Sequence, residues 1–539
     1  MKFWYIYKSC ALKVGKPIPD WRKTLSSLTG IPQKDLLQAQ VAKQSLDARH
    51  RIHPKWLFQI EFSTQNELEQ PLPKGVTQIG GSVYEVQKPA ALAIASPQTQ
   101  KRAIVVGTGP AGLFAALALG EAGVKTTVIE RGKPVETRMK DIGLLRGRGI
   151  LNSESNVCFG EGGAGTYTDG KLYTRVKHPF LSWVMTKLVE FGGPERILYD
   201  AHPHLGTDKL VRIIVNMRNY LQEIGVNIHF QTRIDEILVH KGRACGVRTS
   251  SGLQMEAESI VLAIGHSARE TLEHLHSIGV AMSFKDFSLG VRVEHPQELI
   301  NKSQYGRYAR IAELGAAEYR LAYQAPDPLL GKRGVYSFCM CPGGFVVPTP
   351  TEPGRMAING MSNANRSTPF ANSGIVVQVT KNDLLLNGYE DHPLMGIQFQ
   401  RELEERTFKA TEMSYASPAM RMTDFINRKE PKSLAPTRFR PKAEPYPLTG
   451  VLPSWITDPL RAGLSHFGKK IKGYASSEGN LFGIESRTSS PVRLERLENL
   501  QSISLAGLFP VGEGAGYAGG IVSAAIDGLK AARQIISPE

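Results

Sequence analysis

The pattern of hydrophobic and polar positions changes near Arg102. Residues 1–90 hold short strand-like and helix-like segments, FWYIYKSCALKV, DWRKTLSSLTG and KWLFQIEFS, whose order predicts a small α+β module. Residues 91–100 are small and polar with one proline, and they predict a linker. Beyond the linker, apolar strands alternate with amphipathic helices, so the pattern predicts α/β architecture.

A strand–turn–helix–strand unit opens the α/β region. Residues 103–106 are an apolar run typical of a buried strand, and residues 126–129 form a second strand that ends at Glu130. A carboxylate at the end of the second strand accepts hydrogen bonds from ribose hydroxyls. Glu130 therefore favours NAD or FAD over a dinucleotide with a 2′-phosphate.

The turn of this unit carries Gly107, Gly109 and Gly112 in the spacing GxGxxG. Gly107 permits the tight turn, Gly109 lets a pyrophosphate approach the backbone, and Gly112 lets the helix pack closely on the strand. The helix begins near Pro110 and Ala111, where unpaired N–H groups and the positive end of the helix dipole face the phosphates. The whole unit predicts a dinucleotide site.

Two further segments are rich in glycine. Residues 156–172 read NVCFGEGGAGTYTDGKL, and residues 505–532 read LAGLFPVGEGAGYAGGIVSAAIDGLKAA. Ordering glycine costs backbone entropy, so this density indicates a large ligand lying against the backbone. The second segment combines an apolar strand, a turn at Gly512 and Glu513, and an amphipathic helix from about Gly520.

These segments resemble a largely uncharacterised family of bacterial FAD-dependent dehydrogenases, or NAD(FAD)-utilising oxidoreductases, as do VVGTGPAGLFAAL, PHLGTDKL, VLAIGHSARET, FSLGVRVEHPQ, GVYSFCMCPGGFVVPT and NGMSN. The resemblance implies a Rossmann-like FAD-binding domain of the glutathione-reductase type, an inserted strand-rich α+β substrate or cap domain, and the small N-terminal module. The implied bounds are residues 101–284 and 501–539 for the two parts of the FAD domain and residues 285–500 for the insert.

The resemblance also implies which residues bind the cofactor. They come from the glycine-rich segments and the positions beside them: Gly107, Gly109, Pro110, Ala111, Gly112, Glu130, Arg131, Gly160, Gly162, Gly163, Gly165, Thr166, Asp169, Gly265, Gly512, Glu513, Gly519, Gly520 and Ile521. Glu513 stands where many relatives carry Asp. Thr166 and Asp169 would hydrogen-bond flavin or ribityl atoms, and the alternative for Asp169 and Lys171 is an ordinary polar loop.

The catalytic candidates are weaker. Lys171 would place a positive charge near the flavin or the substrate, and Arg292, Glu294 and His295 in GVRVEHPQ are either polar pocket groups or, for the first two, a structural ion pair. Asn359, Arg487 and His266 rank below them.

The pair Cys339 and Cys341 has three interpretations. The pair could carry out redox chemistry, could bind a metal, or could simply be two small residues on a strand before a glycine turn that faces the pocket. The third interpretation is favoured over the other two. The CxxxxC spacing of flavin disulfide reductases is absent, and there is no second cysteine pair, so no metal site is predicted.

Composition narrows the class of protein. The 539 residues carry a net charge of +15, which attracts anions, but no recognition motif points to nucleic acid and the densest basic stretch is a proline-containing loop. Five cysteines without disulfide spacing, no signal peptide and no apolar run of membrane length favour a cytoplasmic location.

The predicted function is an FAD-dependent oxidoreductase, a dehydrogenase that moves a hydride between a small organic substrate and flavin N5. No histidine motif for covalent attachment is present, so the FAD is expected to be non-covalent. A second GxGxxG unit is also absent, so NAD(P)H would serve only as a transient donor. The alternatives are a flavoprotein that acts on or binds RNA and a non-catalytic FAD protein that senses redox state or binds a partner. The pattern specifies neither the substrate nor the oligomeric state.

Overall fold

The computed structural model describes residues 2–49, 54–84, 101–167 and 169–537. The predicted linker, residues 91–100, lies outside the described residues, as does the adjoining boundary at residue 90. The other domain bounds stay predictions, and the parts of the fold are described below by their sheets.

The N-terminal part is a four-stranded antiparallel sheet with one helix. Its elements are β1 (Phe3–Lys13), α1 (Trp21–Thr29), β2 (Leu36–Asp47), β3 (Lys55–Thr64) and β4 (Val76–Ile79), in the sheet order β2-β3-β1-β4. Asp20 caps α1 by accepting hydrogen bonds from the backbone N–H groups of Arg22 and Lys23. Tyr5, Leu25 and Phe62 form part of its own small core.

The N-terminal sheet is joined to the rest of the chain by backbone pairing. The N–H of Gln44 in β2 donates to the carbonyl of Tyr199 at 2.8 Å, and the N–H of Ala201 donates back to the carbonyl of Gln44 at 2.8 Å. A second contact lies at Glu313, whose carboxylate accepts from the backbone N–H of Gly15 at 2.8 Å. These bonds satisfy backbone groups of both parts.

The next part is built on a parallel five-stranded sheet. Its elements are β5 (Arg102–Val106), α2 (Pro110–Glu121), β6 (Lys125–Ile129), α3 (Val135–Arg148), α4 (Phe180–Glu190), α5 (Thr207–Glu223), β7 (Asn227–His229), β8 (Ile234–His240), β9 (Arg243–Thr249), β10 (Gln254–Glu256), β11 (Ser259–Leu262) and α6 (Arg269–Ser277). The sheet order is β23-β11-β5-β6-β7, where β23 (Leu508–Pro510) and the following α12 (Ile521–Ile536) come from the end of the chain. Strands β8, β9 and β10 form a separate antiparallel meander.

The two chain segments of this part meet in the helix layer. Helix α2 is apolar on all its faces and buries residues 111–119, as expected for a helix enclosed by protein. Gly528 of α12 lies against the backbone carbonyl of Ala111, where a Cβ atom would clash. Small residues therefore allow α12 to approach α2 closely.

Between these segments the chain forms a seven-stranded sheet. The elements are β12 (Met282–Phe284), β13 (Phe287–Pro296), α7 (Gln297–Tyr305), β14 (Ala322–Asp327), β15 (Gly331–Cys341), β16 (Phe345–Pro348), β17 (Ile358–Met361), β18 (Phe370–Val379), α8 (Lys381–Leu386), α9 (Met395–Lys409), β19 (Ser417–Arg421), α10 (Met422–Ile426), β20 (Ala443–Pro445), α11 (Ser454–Lys470), β21 (Asn480–Glu485) and β22 (Val492–Leu494). The sheet order is β14-β15-β18-β13-β21-β19-β20, and β16 pairs with β17 as a separate hairpin. The chain enters and leaves through β12 and β22, which pair with each other.

A buried ion cluster connects the seven-stranded part to the parallel-sheet part. Glu404 of α9 accepts hydrogen bonds from Arg269 of α6 at 2.8 Å and 2.9 Å and from Arg487 at 2.8 Å and 3.0 Å. The two guanidinium groups hold the pKa of the Glu404 carboxyl below its usual range, against the opposing effect of burial. Arg269 also pairs with Glu352 at 2.7 Å, so two carboxylates balance the two guanidinium groups and the cluster fixes the contact geometry of the two parts.

No helix in the described residues is both long enough and apolar enough to cross a lipid bilayer.

Replacing Gly528 by alanine tests the helix contact. The added methyl group would meet the carbonyl of Ala111, so we expect the free energy of unfolding to fall by about 1–3 kcal/mol. Gly143→Ala is the matched control, because Gly143 lies in α3 with open space at its Cβ position and alanine favours helix by about 1 kcal/mol. Denaturant unfolding of both variants measures the difference, and equal stability of Gly528→Ala and the wild type would contradict the contact.

Candidate functional site

Three glycine-rich segments that are distant in sequence surround one cavity of about 330 Å³. The turn after β5, the segment 156–172 and the turn after β23 all contribute to its lining. The first and last of these touch, because a Cβ atom on Gly512 would lie 3.1 Å from the Cβ atom of Ala111. The structure thus brings together the two turns that the sequence analysis singled out.

The turn after β5 is shaped by its three glycines in different ways. Gly107 has φ of 98°, and a Cβ atom there would clash with the carbonyl of Ala263 on the neighbouring strand. Gly109 faces the cavity, and its nearest neighbour at a Cβ position is the Cα of Gly163 at 4.0 Å. Gly112 lies against the Gly107 carbonyl and outside the cavity lining, so its contribution is helix packing.

Glu130 lines the cavity and connects two of the glycine-rich segments. Its carboxylate accepts from the backbone N–H of Thr108 at 3.0 Å, the Thr108 hydroxyl at 2.6 Å, the N–H of Gly132 at 2.9 Å and the N–H of Gly160 at 3.0 Å. The prediction assigned its acceptors to ribose hydroxyls. In the structure these four protein donors share the two oxygens, so a ribose hydroxyl would share or replace one of them.

Arg131 follows Glu130 into the lining. Its guanidinium lies 3.8 Å from the ring centroid of Phe159 and pairs with Glu154 at 3.0 Å and with Glu270. Two carboxylates and an aromatic face therefore fix its orientation.

Arg138 of α3 holds the segment 156–172 in place. Its fully buried guanidinium donates to five backbone carbonyls of that segment, those of Asn156, Val157, Gly160, Glu161 and Gly163, at 2.7–3.1 Å. Burial lowers the pKa of this guanidinium, and the carbonyl dipoles replace the water it has lost. Sequence reasoning missed Arg138, because a single arginine on a predicted helix carries no motif.

Glu161 anchors the same segment from the other side. Its carboxylate accepts from the backbone N–H of Val135 at 2.8 Å and from Arg218 at 2.8 Å. Burial raises its pKa to about 7.

The other residues predicted in this segment divide into two groups. Gly160, Gly163, Gly165, Asp169 and Lys171 line the cavity. Gly162 and Thr166 lie outside the lining, and a Cβ atom on Gly162 would clash with the Thr166 hydroxyl and with Ile214. Asp169 accepts from Ser362 and from Arg366, so a buried ion pair already satisfies much of its carboxylate.

The turn after β23 presents a carboxyl group and a helix N-terminus. Burial raises the pKa of Glu513, whose carboxyl accepts from the backbone N–H of Ser490 at 3.0 Å. Gly512, Gly520 and Ile521 line the cavity beside it, and α12 begins there without a capping side chain. Gly519 lies outside the lining because its Cα packs against the Glu513 carboxyl. Gly265, also predicted, lies in the lining after β11.

The catalytic candidates from the inserted sheet are separated by the structure. Cys339 lines the cavity, whereas Cys341 is buried behind it and burial raises its pKa to about 12. Arg292 also lies behind the wall, where it pairs with Glu485 at 2.9 Å and not with Glu294. The sequence analysis considered an ion pair between Arg292 and Glu294. In the structure the partner of Arg292 is Glu485, which lies on the adjacent strand β21.

Glu294 and His295 are outside the cavity lining. Glu294 accepts from the Thr437 hydroxyl at 3.0 Å, and burial raises its pKa to about 7. His295 shares a hydrogen bond of 2.7 Å with the carbonyl of Tyr474, and burial lowers its pKa to about 4. Both belong to the interior of the inserted sheet.

The lining includes residues that the sequence analysis ranked low or did not name. The cavity lining includes His266, Asn359 and Arg487. Burial lowers the pKa of His266 to about 4, so its imidazole is neutral at pH 7. Tyr173 and Phe338 were not named, although each stands next to a named segment. Among the described residues there is no cluster of three or more metal-ligating side chains.

Comparison with known proteins shows which family the chain belongs to. Residues 100–150 match the model of an FAD binding domain, and residues 286–488 match that of the FAD-dependent protein, C-terminal domain-like. A protein of Clostridium beijerinckii described as uncharacterized is 40% identical over 516 residues, or 95% of each chain. The chain belongs to this family of FAD-dependent proteins.

Solved structures of flavin proteins are also similar. CmlS, a flavin-dependent halogenase, matches 81% of this chain and 58% of its own with 12% identity and a TM-score of 0.36. CtdE in complex with FAD matches 80% of this chain and 83% of its own with 13% identity and a TM-score of 0.31.

The residues around the cavity fit FAD. Helices α2 and α12 both begin at the cavity with no capping side chain, so their N-terminal amides and positive dipole ends are directed towards a bound anion. Gly109 and Gly163 face each other without side chains, which leaves backbone surface for close approach. Glu130 offers an acceptor beside them.

Replacing Arg138 by methionine should disrupt the cofactor site. Methionine keeps the apolar stem but leaves five carbonyls without their donor, so we expect a loss of about 3–5 kcal/mol of stability and much weaker FAD retention. Arg148→Met is the control, because Arg148 is exposed in the last turn of the same helix. Flavin absorbance per protein and denaturant unfolding measure both effects, and normal FAD content in Arg138→Met would refute the role.

Glu294 should make stability depend on pH. Its folded pKa of about 7 is raised above the unfolded value, so its contribution is fully present below pH 4.5 and is lost as the pH rises through 7. Glu294→Gln should remove about 3 kcal/mol of this pH dependence. Unfolding free energies between pH 5 and about 8 test this, with exposed Glu298→Gln as the control that keeps the wild-type slope.

Proposed function

We propose that the protein is an FAD-dependent oxidoreductase that moves a hydride between a small organic substrate and the flavin. The observation that carries the proposal is the single cavity formed by three glycine-rich segments and the inserted sheet. Bound FAD would supply the hydride chemistry at N5, and the protein would position the substrate and exclude water.

The nucleotide wall of the cavity supports non-covalent binding of FAD. The turn after β5 and the start of α2 would hold the pyrophosphate, Glu130 would face the adenosine ribose, and the start of α12 would face the flavin. This assignment follows the glutathione-reductase type of flavin fold, which we propose from the parallel order β23-β11-β5-β6-β7 and the return of the chain end to that sheet.

The inserted sheet would form the substrate side. The cavity lining includes Phe338 and Cys339 of β15 and Asn359 of β17. None of these residues belongs to the three glycine-rich segments. Their mixture of one aromatic ring, one thiol and one amide suits a small organic molecule with a polar group. We include a reduced nicotinamide as a transient donor at the same site, since the sequence carries one dinucleotide turn.

An anaerobic screen tests the proposed reaction. Holoenzyme is mixed with metabolite pools without oxygen, and the oxidised flavin absorbance is followed. A compound that bleaches the flavin and is itself oxidised supports the proposal. The proposal would be overturned if neither a metabolite nor NAD(P)H reduced the flavin and if chemically reduced flavin passed no electrons to an organic acceptor.

The glycines of the first turn give a sharper test of the cofactor site. Gly109 has φ of −67° and ψ of 177°, which any residue adopts, and its Cβ position is open. We therefore expect Gly109→Ala to fold normally but to lose FAD at least tenfold, because the methyl group occupies the approach of the pyrophosphate. Gly107→Ala, by contrast, should lose folding stability as well.

The measurements are flavin absorbance per protein after reconstitution and the melting temperature of the apoprotein. Gly80→Ala is the control, because its Cβ position is open and it is exposed in the N-terminal part. Full FAD occupancy of Gly109→Ala would show that the pyrophosphate is bound elsewhere.

A further inference from the structure

The substrate side of the cavity carries a specific set of polar groups. Lys171, Cys339 and Asn359 all line it, and they provide an ammonium group, a thiol and a carboxamide. No two of them belong to the same element of secondary structure, since Lys171 lies near the end of the glycine-rich segment 156–172, while Cys339 and Asn359 lie on β15 and β17. The fold therefore assembles three different functional groups at one wall.

The backbone at Cys339, a residue of the cavity lining, departs from regular strand geometry. The pairing of β15 with β18 shifts register between Phe338 and Cys341, and Cys339 has φ of 43°, which is unusual for a residue with a side chain. A bulge turns a side chain away from the direction that regular alternation would give it. Cys341, two residues later, is buried instead.

Two cations, the buried Arg292 and the half-buried Lys171, hold this bulge. Arg292 donates to the carbonyl of Cys339 at 2.7 Å, and Lys171 donates to the carbonyl of Met340. Arg292 is itself fixed by Glu485 and by Asn372 at 2.7 Å. The strained conformation is thus maintained by its surroundings, as is typical of functional positions.

Lys171 and Asn359 keep hydrogen-bond donors for a ligand. An ammonium group has three N–H donors, of which Lys171 directs one to Met340, and the Glu318 carboxylate lies 3.8 Å from its Nζ, beyond hydrogen-bond distance. The carboxamide oxygen of Asn359 already accepts from Arg292 at 3.2 Å and from the N–H of Gly360 at 2.7 Å. The group that Asn359 can offer a ligand is its N–H₂, so both side chains suit a carbonyl oxygen.

We propose that Cys339 is the catalytic acid for reduction of a carbon–carbon double bond conjugated to a carbonyl group, with Lys171 and Asn359 binding the carbonyl oxygen. The proposal rests on the proposed function and names its substrate class. It uses the thiol on the cavity wall together with two donors that would stabilise a developing enolate.

The step balances as follows. A hydride from reduced flavin N5 forms a C–H bond at the β-carbon, the π electrons of the C=C bond form a double bond between the α-carbon and the carbonyl carbon, and the carbonyl π electrons move to the oxygen. The resulting enolate is held by Lys171 and Asn359. The S–H bond of Cys339 then breaks, its proton forms the C–H bond at the α-carbon, and the thiolate regains a proton from water. The electron pair comes from a two-electron donor of the reduced-nicotinamide class, which reduces the flavin beforehand.

The ionisation of Cys339 agrees with the role of an acid. Burial raises the pKa of its thiol, while Lys171 and Arg292 act in the opposite direction. The thiol is therefore protonated at neutral pH, and the thiolate left after proton transfer has two cations nearby.

The first experiment uses dithionite-reduced holoenzyme without oxygen. We add 2-cyclohexen-1-one or trans-cinnamaldehyde in D₂O, follow the return of oxidised flavin, and locate deuterium in the product. We expect reoxidation with one deuterium at the β-carbon, because dithionite supplies only electrons and the hydrogen at flavin N5 then comes from D₂O, and one at the α-carbon from the exchanged thiol. Failure of both probes to reoxidise the flavin, while another class of acceptor does, would overturn this substrate class and leave the proposed function standing. A protein that binds no FAD or passes electrons to no acceptor would overturn the proposed function itself.

Substitution of Cys339 separates its chemistry from its structure. Cys339→Gly relieves the positive φ, so we expect an unchanged or higher melting temperature and full FAD content, together with a 10²–10⁴-fold slower reoxidation by the probes. Cys339→Ser keeps the shape with a much weaker acid and should be similarly slow. Cys10→Ala in the N-terminal part is the control and should keep the wild-type rate. A wild-type rate in both Cys339 variants would overturn the proposal.

Chemical labelling gives a readout that does not depend on turnover. Iodoacetamide labelling of the holoenzyme, quantified by mass spectrometry, should modify Cys339 faster as the pH rises and more slowly in the presence of cyclohexanone, which resembles the saturated product. Labelling of Cys10 should not respond to cyclohexanone. If cyclohexanone leaves the labelling rate of Cys339 unchanged, the thiol does not face the substrate and the proposal fails.

Discussion

The cavity depends on a single buried guanidinium, that of Arg138. A glycine-rich segment has many conformations and few side chains to choose among them, so its shape must be imposed from outside. Arg138 imposes it by donating to five carbonyls of the segment from below. The segment then presents Gly163 to Gly109 and the N–H of Gly160 to Glu130, and the two halves of the cofactor wall are connected.

Protein groups orient the polar side chains that line the cavity. Its carboxylates at Glu130 and Asp169 already accept hydrogen bonds from protein donors, and its two helix N-termini are directed inwards. Groups held in this way need little reorganisation when charge develops in a reaction. The buried ion pair of Arg292 and Glu485 also has an orienting role, because it holds the guanidinium that donates to the carbonyl of Cys339. Buried ion pairs contribute little net stability.

The insert must be held rigidly against the parallel sheet for one cavity to form between them. Glu404 holds the two parts together because it pairs with Arg269 from the parallel-sheet part and with Arg487, which follows β21. Arg487 also donates to Ser267 at 3.4 Å, next to His266 in the cavity lining. Arg487 therefore links the ion cluster to the cavity lining, and a displacement of the insert would also displace residues of the lining.

Sequence reasoning was strongest where local physics decides the structure. The apolar run, the GxGxxG spacing and the acid after the second strand identify β5, α2 and β6, because each glycine has a steric reason to be where it is. The apolar strand and glycine turn near residue 510 likewise mark β23 and the start of α12. Domain bounds and cofactor contacts stay predictions, although most of the residues named for FAD lie in the cavity lining.

The tertiary structure decided what no local pattern carries. Arg138, Glu404 and the pairing of Arg292 with Glu485 are each ordinary charged residues in the sequence, and they acquire roles only from partners between about 20 and 190 positions away. Arg292, Glu294 and His295 all lie on β13 and none of them lines the cavity, because folding surrounds them with other parts of the insert, where their partners are Glu485, Thr437 and Tyr474. The sequence alone determined the dinucleotide unit, since its geometry is set by short-range sterics. Which side chains surround the substrate was decided by long-range packing, since only folding brings those strands to one wall.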